Sequence, residues 1–296
     1  MFIHKASNTQ HMPAANVGFV SIDREIVRKI NKERYKTYIK ILYLPQGYKL
    51  TIDFTAYETQ HTSLFFIAPN QVLKIEHTGE APGYMLFYDR TFYCIQLHDS
   101  EVYCDGLLFN NIHNMPLVSI HQEELGFINY LYRRVEKEFE LKSMSFEEMI
   151  RTYLKQLLIK ATRLWTRQHL QEKVTEKREH LDFFRNFTRL VDANYKYKHR
   201  VADYAELMFI EPKTITHKFK RLKLPKPSEL IKDRIVLEAK RLLVHSPLTI
   251  REIAYDLGYD DPAYFSRLFQ LKTGQSPLAF RNIRRTSDVT TKPNHS

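Results

Sequence analysis

The residues of this sequence that have the chemistry of metal ligands or nucleophiles do not form a recognisable site. Cys94, His98, Glu101 and Cys104 lie close together along the chain, but their spacing matches no closed zinc site. Two cysteines build neither a four-thiolate zinc site nor a disulfide framework. Only 8 glycines occur, and none forms a Gly-rich phosphate loop. We therefore expect no metal, no cofactor and no enzymatic activity.

Charge is unevenly distributed along the 296 residues, which carry a formal net charge of +11. Residues 1–120 hold equal numbers of basic and acidic side chains, whereas residues 181–296 hold 22 basic and 13 acidic ones. A basic rear segment is typical of a domain that meets a polyanion. No apolar run is long enough to span a membrane, and the N-terminus lacks a signal-peptide core, so we expect a cytoplasmic protein.

The region Thr249–Arg281 has the pattern of a helix-turn-helix unit. Thr249 and Glu252 form a capping box, and Gly258 is placed to end the first helix. Asp261 and Pro262 then supply an N-cap and a first helical residue for the second helix.

A second copy of the pattern lies at Val201–Leu224, where Pro212 opens the second helix. Its turn is one residue shorter than that of the later copy. Between the two copies, Ser228–Val244 has the periodicity of a long helix that would fix them relative to each other.

The segment from about Leu181 to Arg285 resembles the DNA-binding domain of AraC-type transcription regulators. Arg234 and Ala239 match the family's linker helix, in which we expect Arg234 to be a buried pairing residue. The resemblance is carried mainly by Ile253-Ala254, Gly258-Tyr259, Tyr264-Phe265-Ser266-Arg267, Phe269, Gly274 and Pro277-Leu-Ala-Phe-Arg281. The sequence departs from the family at Glu211, where Ser is common, and at Leu224–Ser228, where Gly and Ser are usual.

The resemblance also implies a cupin-like sensor domain at the front, where Phe66-Ile-Ala-Pro69 is similar to an apolar strand of such domains. Cupin enzymes hold metals through a His-x-His pair with Glu and a later His. His61, His77, His98 and His113 form no such pair, so a cupin-type enzyme is the less favoured alternative.

Side chains opposite the apolar stripe of each second helix would face the major groove. In the first helix-turn-helix unit, Ile215 and Phe219 would point inward. In the second helix-turn-helix unit, Phe265 and Phe269 would do so. The base-reading candidates are Lys213, Thr216, His217, Lys220, Ala263, Ser266, Arg267 and Gln270. Arg267 is suited to a bidentate contact with guanine. The phosphate-contact candidates are Lys218, Arg221, Arg251, Lys272 and Arg281.

The pattern along the chain predicts an α+β protein in four parts. Residues 1–120 form a β-barrel or sandwich, residues 121–175 a helical hairpin and linker, residues 181–285 an all-α double helix-turn-helix domain, and residues 286–296 a disordered tail. Predicted strands are 39–44, 48–54, 64–68, 72–77 and 84–88, with two more at 92–97 and 101–109. The hairpin helices are 122–141 and 146–171, the second opening on a capping box at Ser145 and Glu148.

These observations predict a sequence-specific, homodimeric transcription regulator of the activator type that binds double-stranded DNA. The resemblance implies RNA polymerase as a partner and a small-molecule effector in the front domain, whose identity the residues do not give. The apolar stripes of the hairpin fit packing on the β domain and homodimerisation equally well. The other alternative is an architectural DNA-binding protein without a sensor function.

Overall fold

A computed structural model of the protein describes residues 16–94, 107–109, 117–169, 178–222 and 224–282. It divides into two compact units, residues 1–109 with 116–165, and residues 110–115 with 166–296. Together the units give the predicted α+β composition, with strands at the front and a helical rear. No helix in the described ranges is both long enough and apolar enough to cross a membrane.

The first unit contains two antiparallel sheets. The elements are β1 (Val17–Ser21), α1 (Arg24–Asn31), β2 (Ile39–Leu44), β3 (Lys49–Ile52), β4 (Thr55–Glu58), β5 (Ser63–Ile67), β6 (Leu73–His77), β7 (Tyr84–Tyr88) and β8 (Leu117–Ser119). The larger sheet has the order β1-β7-β2-β5-β8, and the smaller has the order β4-β3-β6. Four predicted strands match β2, β5, β6 and β7 closely. The predicted strand 48–54 contains β3 but ends in a turn at residues 53–54. The elements β1, α1, β4 and β8 have no counterpart among the predicted elements.

The core of this unit lies between the two sheets. Leu42, Phe65 and Phe87 from the larger sheet meet Leu50 and Ile75 from the smaller one. All six residues of β2 are buried, because its other face is covered as well. A strand covered on both faces shows an apolar run without alternation, which is why β2 was easy to find in the sequence.

Two strand predictions after β7 differ from the structure. Residues 92–94 are not in a strand, and Asp89 instead caps a turn by accepting from the backbone nitrogens of Thr91 and Phe92 at 2.9 and 3.0 Å. Most of the predicted strand 101–109, like Cys104, His98 and Glu101, lies outside the described residues. The tail 286–296 also lies outside them.

Two helices, α2 (Gln122–Leu141) and α3 (Phe146–His169), form the predicted antiparallel hairpin. Glu124 pairs with Lys160 at one end, and the rings of Phe139 and Phe146 meet at 5.0 Å at the other. Helix α2 packs against the first unit's larger sheet, where the Tyr43 hydroxyl donates to Asn129 Oδ1 at 2.7 Å.

The capping box predicted at the start of α3 takes a different form. Ser145 has a φ of +64°, whereas an N-cap serine needs extended backbone to reach the first turn. The Glu148 carboxylate pairs with Arg151, as does Glu147. An acidic residue in the first turn therefore serves an ion pair one turn later rather than the cap.

The second unit is helical: α4 (Arg178–Asn194), α5 (Val201–Leu207), α6 (Pro212–Arg221), α7 (Pro227–His245), α8 (Ile250–Asp256) and α9 (Pro262–Thr273). Helix α4 was not predicted as an element. Its Phe183, Phe184 and Phe187 rings surround Phe219 of α6, with centroid distances of 6.2, 6.1 and 4.9 Å. The first helix-turn-helix unit thus owes much of its core to α4.

Candidate DNA-binding surface

The helix ends of the second helix-turn-helix unit are formed by the capping residues that the sequence predicts. The Thr249 hydroxyl accepts from the Glu252 nitrogen at 3.2 Å, and the Glu252 carboxylate accepts from the Thr249 nitrogen at 2.7 Å, which completes the predicted capping box. Asp261 accepts from the Ala263 nitrogen at 2.8 Å and so caps α9. Gly274 ends α9 with a φ of +78°.

Gly258 is required in the turn between α8 and α9 for two reasons. Its φ is +77°, where a side chain is strained. A Cβ at this position would also lie 2.0 Å from the carbonyl oxygen of Lys196. The Lys196 ammonium binds Asp256 at 2.8 Å, so the loop after α4 is held directly against this turn.

The first helix-turn-helix unit reaches a similar geometry by other means. Asp203 accepts from the backbone nitrogens of His199 and Arg200 at 3.0 and 2.8 Å, which starts α5. The left-handed position of its turn is occupied by Phe209, with a φ of +54°. Glu211 precedes α6 without a side-chain capping bond, and Pro212 opens the helix.

Helix α6 turns its apolar side inward, as predicted. Ile215 and Phe219 are buried at 0% and 1% exposure. The side chains opposite them are exposed: Lys213, Thr216, His217, Lys220 and Arg221. Three basic side chains and one imidazole therefore lie on this face, and such groups are suited to contacts with phosphates and base edges.

Helix α9 has the same organisation. Phe265, Leu268 and Phe269 are buried, and Ala263, Arg267 and Gln270 are exposed. Ser266 is half-buried, since its hydroxyl donates to the Pro262 carbonyl at 2.8 Å. The Arg267 side chain is 68% exposed, with its Nη2 3.6 Å from the Asp261 carboxylate. This weak exposed pair leaves the guanidinium available to a ligand.

Tyr264 is an exposed aromatic residue at the start of α9 that is not among the predicted base-reading candidates. Half of its side chain is exposed beside Ala263 at the start of α9, while its ring lies 5.8 Å from that of Tyr259. An aromatic residue next to Phe265 reads as part of the apolar stripe. The helical position, one residue away from the buried stripe, was the signal that could have found it.

The five phosphate-contact candidates fall into two groups. Arg221 and Arg251 are exposed, and Arg251 Nε donates to the Tyr255 hydroxyl at 2.9 Å. Lys218 is half-buried, with its ammonium 4.5 Å from the centre of the Phe183 ring. These three cations are available to DNA to different degrees.

Lys272 and Arg281 are instead engaged within the second unit. The Lys272 ammonium binds Glu229 at 2.5 Å and Asp233 at 2.7 Å, both on α7, and its side chain is only 18% exposed. Arg281 donates from Nε to the Leu243 carbonyl at 3.1 Å and from Nη2 to the Leu248 carbonyl at 2.6 Å. We therefore revise their assignment from phosphate contacts to contacts that hold helix α7 in place.

Arg234 is buried at the centre of α7, which confirms the predicted role. Its Nε donates to Asp192 of α4 at 2.8 Å, and its Nη1 donates to Glu238 at 2.9 Å. The guanidinium also lies 3.8 Å from the centre of the Tyr195 ring. Helix α7 is thus fixed to α4 through Arg234 and to α9 through Lys272.

Within the described ranges, no three His, Cys, Asp or Glu side chains lie close enough together to hold a metal ion. Cys94 is half-buried and carries a free thiol. The three ligand-type residues that follow Cys94 in the sequence, His98, Glu101 and Cys104, lie outside those ranges.

Comparison with known proteins gives a family match that lies within the second unit. Residues 204–283 match a family model described as a helix-turn-helix domain. The HTH-type transcriptional activator RhaR of Salmonella arizonae is 42% identical over 53 residues, which are 18% of this chain and 19% of that protein. RhaR of Salmonella newport matches with the same figures. The chain thus aligns with about a fifth of the length of these curated relatives.

Solved structures resemble the chain more distantly. The C-terminal domain of AraT, a response regulator from Geobacillus stearothermophilus, has 23% identity and a TM-score of 0.33, with 43% of this chain and 96% of that chain covered. ToxT from Vibrio cholerae has 14% identity and a TM-score of 0.40, with 90% and 97% covered. TM-scores of this size do not establish a common overall fold.

Residues 204–283 are therefore a helix-turn-helix domain by the family match. The residues that build its two turns are those that resemble the DNA-binding domain of AraC-type transcription regulators.

Proposed function

We propose that this protein is a sequence-specific transcription activator that places α6 and α9 in adjacent major grooves of double-stranded DNA. The observation that supports it best is that α6 and α9 both have polar, exposed outer faces and both pack against α7. Two such helices read two base clusters about one helical turn apart, roughly 34 Å along the duplex.

The two faces are suited to different parts of the recognition. On α9, Arg267 supplies a guanidinium for guanine, Gln270 an amide for adenine or phosphate, and Ala263 a methyl contact for thymine. On α6, Lys213, His217, Lys220 and Arg221 concentrate positive charge, which favours phosphate contacts beside base readout. Helix α6 would therefore contribute more of the affinity for DNA, and helix α9 more of the discrimination between bases.

Activation requires a further partner, for which we propose RNA polymerase. The support is that RhaR, a relative 42% identical over 53 residues, is described as a transcriptional activator. The proposal extends to a homodimer formed by the first unit and its hairpin, because two half-sites multiply specificity. It also extends to an effector bound by the first unit and to a cytoplasmic location.

A selection of DNA sequences tests the proposed function directly. The full chain and a fragment of residues 178–285 are each used to enrich binding sites from random duplexes. We expect both to enrich the same motif, with two base clusters about 10 base pairs apart, and the fragment to bind more weakly. A full chain that enriches no motif at low salt would refute sequence-specific binding. A single cluster would refute the use of both helices.

A further inference from the structure

Residues 195–199 form a loop that contacts both helix-turn-helix units. The loop follows α4 and leads directly into α5, the first helix of the first helix-turn-helix unit. It is bonded to that helix, since the Tyr204 hydroxyl donates to the Lys198 carbonyl at 2.8 Å and the Asp203 carboxylate accepts from the His199 nitrogen at 3.0 Å. Tyr204 is fully buried. The 195–199 loop is therefore fixed to the first helix-turn-helix unit.

The same loop lies against the turn of the second helix-turn-helix unit at three places. The Lys196 ammonium donates to both oxygens of the Asp256 carboxylate, at 2.8 and 3.0 Å. The His199 ring stacks on the Tyr259 ring, with ring centres 4.5 Å apart. Between these contacts the two backbones meet so closely that a Cβ on Gly258 would lie 2.0 Å from the Lys196 carbonyl oxygen. The loop thus joins the two helix-turn-helix units in addition to the connection that α7 makes.

Stacked rings extend this contact to the start of α9. Tyr259 is buried, and its ring centre lies 5.8 Å from those of Tyr264 and Phe265. Phe265 is fully buried, whereas Tyr264 is half exposed in the first turn of α9. Aromatic rings are large and rigid, so a ring that moves displaces its neighbours. A displacement of the His199 ring would therefore move the end of α9 that carries the proposed base contacts.

A second attachment point matters because α7 by itself restrains one rotation poorly. Helices α6 and α9 both pack against α7, and a helix that packs along another can roll about it while keeping most of its contacts. A contact outside α7 opposes that rotation. Adding one base pair between two base clusters turns them by about 35° and separates them by about 3.4 Å. Two helices held in one fixed arrangement tolerate such a change poorly.

We propose that the 195–199 loop is a positioning segment that sets the spacing between the two base clusters read by α6 and α9. Lys196 and His199 act through the turn at residues 256–259 and contact no base themselves. An ion pair as exposed as that of Lys196 and Asp256 contributes little by itself, so the stacked rings and the backbone contact supply most of the restraint. The proposal rests on the proposed function, since a spacing exists only where both helices bind DNA.

DNA duplexes that differ only in spacing test the proposal on the full chain. The probes are the site enriched by the unsubstituted chain and two derivatives, with one base pair added or removed between the clusters. We expect the unsubstituted chain to bind the derivatives about tenfold more weakly than the site. Lys196→Met should reduce this spacing penalty about twofold, and the double variant Lys196→Met with His199→Ala about fivefold. Because the penalty is a ratio, a uniform change in DNA affinity leaves it unaffected.

Lys198→Met is the matched control for these variants. It removes the same charge from the same loop, and among the described residues no ion pair to Lys198 occurs. It should leave the spacing penalty unchanged. Thermal unfolding verifies that each variant is folded, and Lys196→Met carries the test if the double variant is not, since it changes only a partly exposed pair. An unchanged penalty in the folded variants, or an equal reduction by Lys198→Met, would overturn the proposal.

A distance measurement without DNA separates the failure of this proposal from that of the proposed function. Spin labels are placed at Thr216→Cys on α6 and Gln270→Cys on α9, both exposed positions, in a full chain that also carries Cys94→Ser and Cys104→Ser. Pulsed electron paramagnetic resonance should give one narrow distribution of distances between the labels. The double variant should broaden that distribution.

The two measurements together distinguish the outcomes. A chain that enriches no DNA motif, but whose narrow distribution broadens in the double variant, would refute the proposed function and with it the spacing role, while the loop would still fix the two helices. A chain that enriches a two-cluster motif, but whose distribution and spacing penalty are unchanged in the double variant, would refute the role of the 195–199 loop alone.

Discussion

Arg267 is the residue whose substitution distinguishes base reading from simple electrostatic attraction. Its side chain is exposed on α9 and has only a 3.6 Å contact with Asp261 to give up. Arg267→Ala is expected to cost about 1–3 kcal/mol on the selected site and to remove discrimination at one base position. The fold should be unaffected, because the side chain lies opposite the buried stripe. Competition binding with singly substituted sites measures both effects.

Arg189→Ala is the control for this prediction. Arg189 is an exposed arginine of the same unit, on α4, with Asn186 as its neighbour. The substitution removes the same charge as Arg267→Ala without changing α9, so it should leave every base preference intact. If Arg267→Ala has as little effect as Arg189→Ala, Arg267 does not contact DNA. If it weakens binding to all sequences evenly, Arg267 contacts the DNA backbone. Either outcome contradicts the placement of α9.

Because Lys40 is buried, we expect the free energy of unfolding of the first unit to depend on pH. It is 2% exposed within β2, and its ammonium donates to the carbonyls of Tyr35 and Tyr38 at 3.0 and 2.8 Å. Burial lowers the pKa of Lys40 from its ordinary value of 10.5 to about 7. Between these values the unfolded chain binds more protons than the folded chain, so stability rises with pH from 7 towards 10.

Lys40→Met should remove this slope, which amounts to at most about 1.4 kcal/mol per pH unit. Urea unfolding of both proteins from pH 7 to pH 9, followed by the fluorescence of Trp165, gives the difference. Trp165 is the only tryptophan of the sequence and is buried in the first unit, so it reports on the right part of the chain. Parallel pH profiles of the two proteins would contradict the prediction.

At the scale of elements, the two turns of the helix-turn-helix units predict opposite responses to substitution. Gly258→Ala places a Cβ against the Lys196 carbonyl in a left-handed conformation, and it should destabilise the second unit by about 2 kcal/mol or more. Phe209→Gly relieves a left-handed conformation at a side chain that is 95% exposed, so it should leave stability unchanged or raise it by about 1 kcal/mol. Thermal unfolding of the 178–285 fragment compares them, and a large loss with Phe209→Gly would show that its side chain is packed.

Lys272 of α9 pairs with two carboxylates of α7, and we expect these pairs to fix the angle between the two helices. Lys272 and Lys232 lower the pKa of Glu229 to about 2, in keeping with a carboxylate that stays charged at the junction. Lys272→Met leaves Glu229 and Asp233 without this cation and lets α9 shift against α7. We expect weaker binding to the full site at every salt concentration, with the slope of log K against log salt unchanged.

Arg221→Met is the contrasting variant, because Arg221 is a phosphate-contact candidate that is exposed at the end of α6. Losing one phosphate contact reduces the salt slope by about 0.9. Titrations between low and physiological salt separate the two cases. A slope reduction with Lys272→Met would restore Lys272 to the phosphate-contact group.

At the scale of the whole molecule, the division into two units predicts separable activities. Helix α2 of the first unit exposes two aromatic side chains, Phe127 at 40% and Tyr130 at 52%. A chain of residues 1–175 is therefore expected to dimerise, and sedimentation at tens of micromolar measures it. Phe127→Ser combined with Tyr130→Ser should shift it to monomers. A strict monomer in the unsubstituted chain would contradict dimerisation by this unit.

The sequence was most informative where structure is determined by neighbouring residues. Thr249, Asp261, Pro262 and Gly274 each act within one turn of helix, and their predicted roles are confirmed. The outward positions of Arg267 and Gln270 followed from the helical period alone. The same reasoning predicted a strand from residue 92 and a serine cap at Ser145. Residues 92–94 instead lie at and just after a turn that Asp89 caps, and Ser145 has a left-handed φ of +64°.

What the sequence by itself determined is therefore the helix-turn-helix repeat, its caps and its exposed faces, because these depend on periodicity and on contacts a few residues apart. Only the tertiary structure decided which cations are available, since the partner of Lys272 is 43 residues away and that of Arg281 is 38 residues away. It also decided that the space between the sheets is filled. Pairing and cavities arise from residues distant along the chain, and no local pattern encodes how their side chains meet.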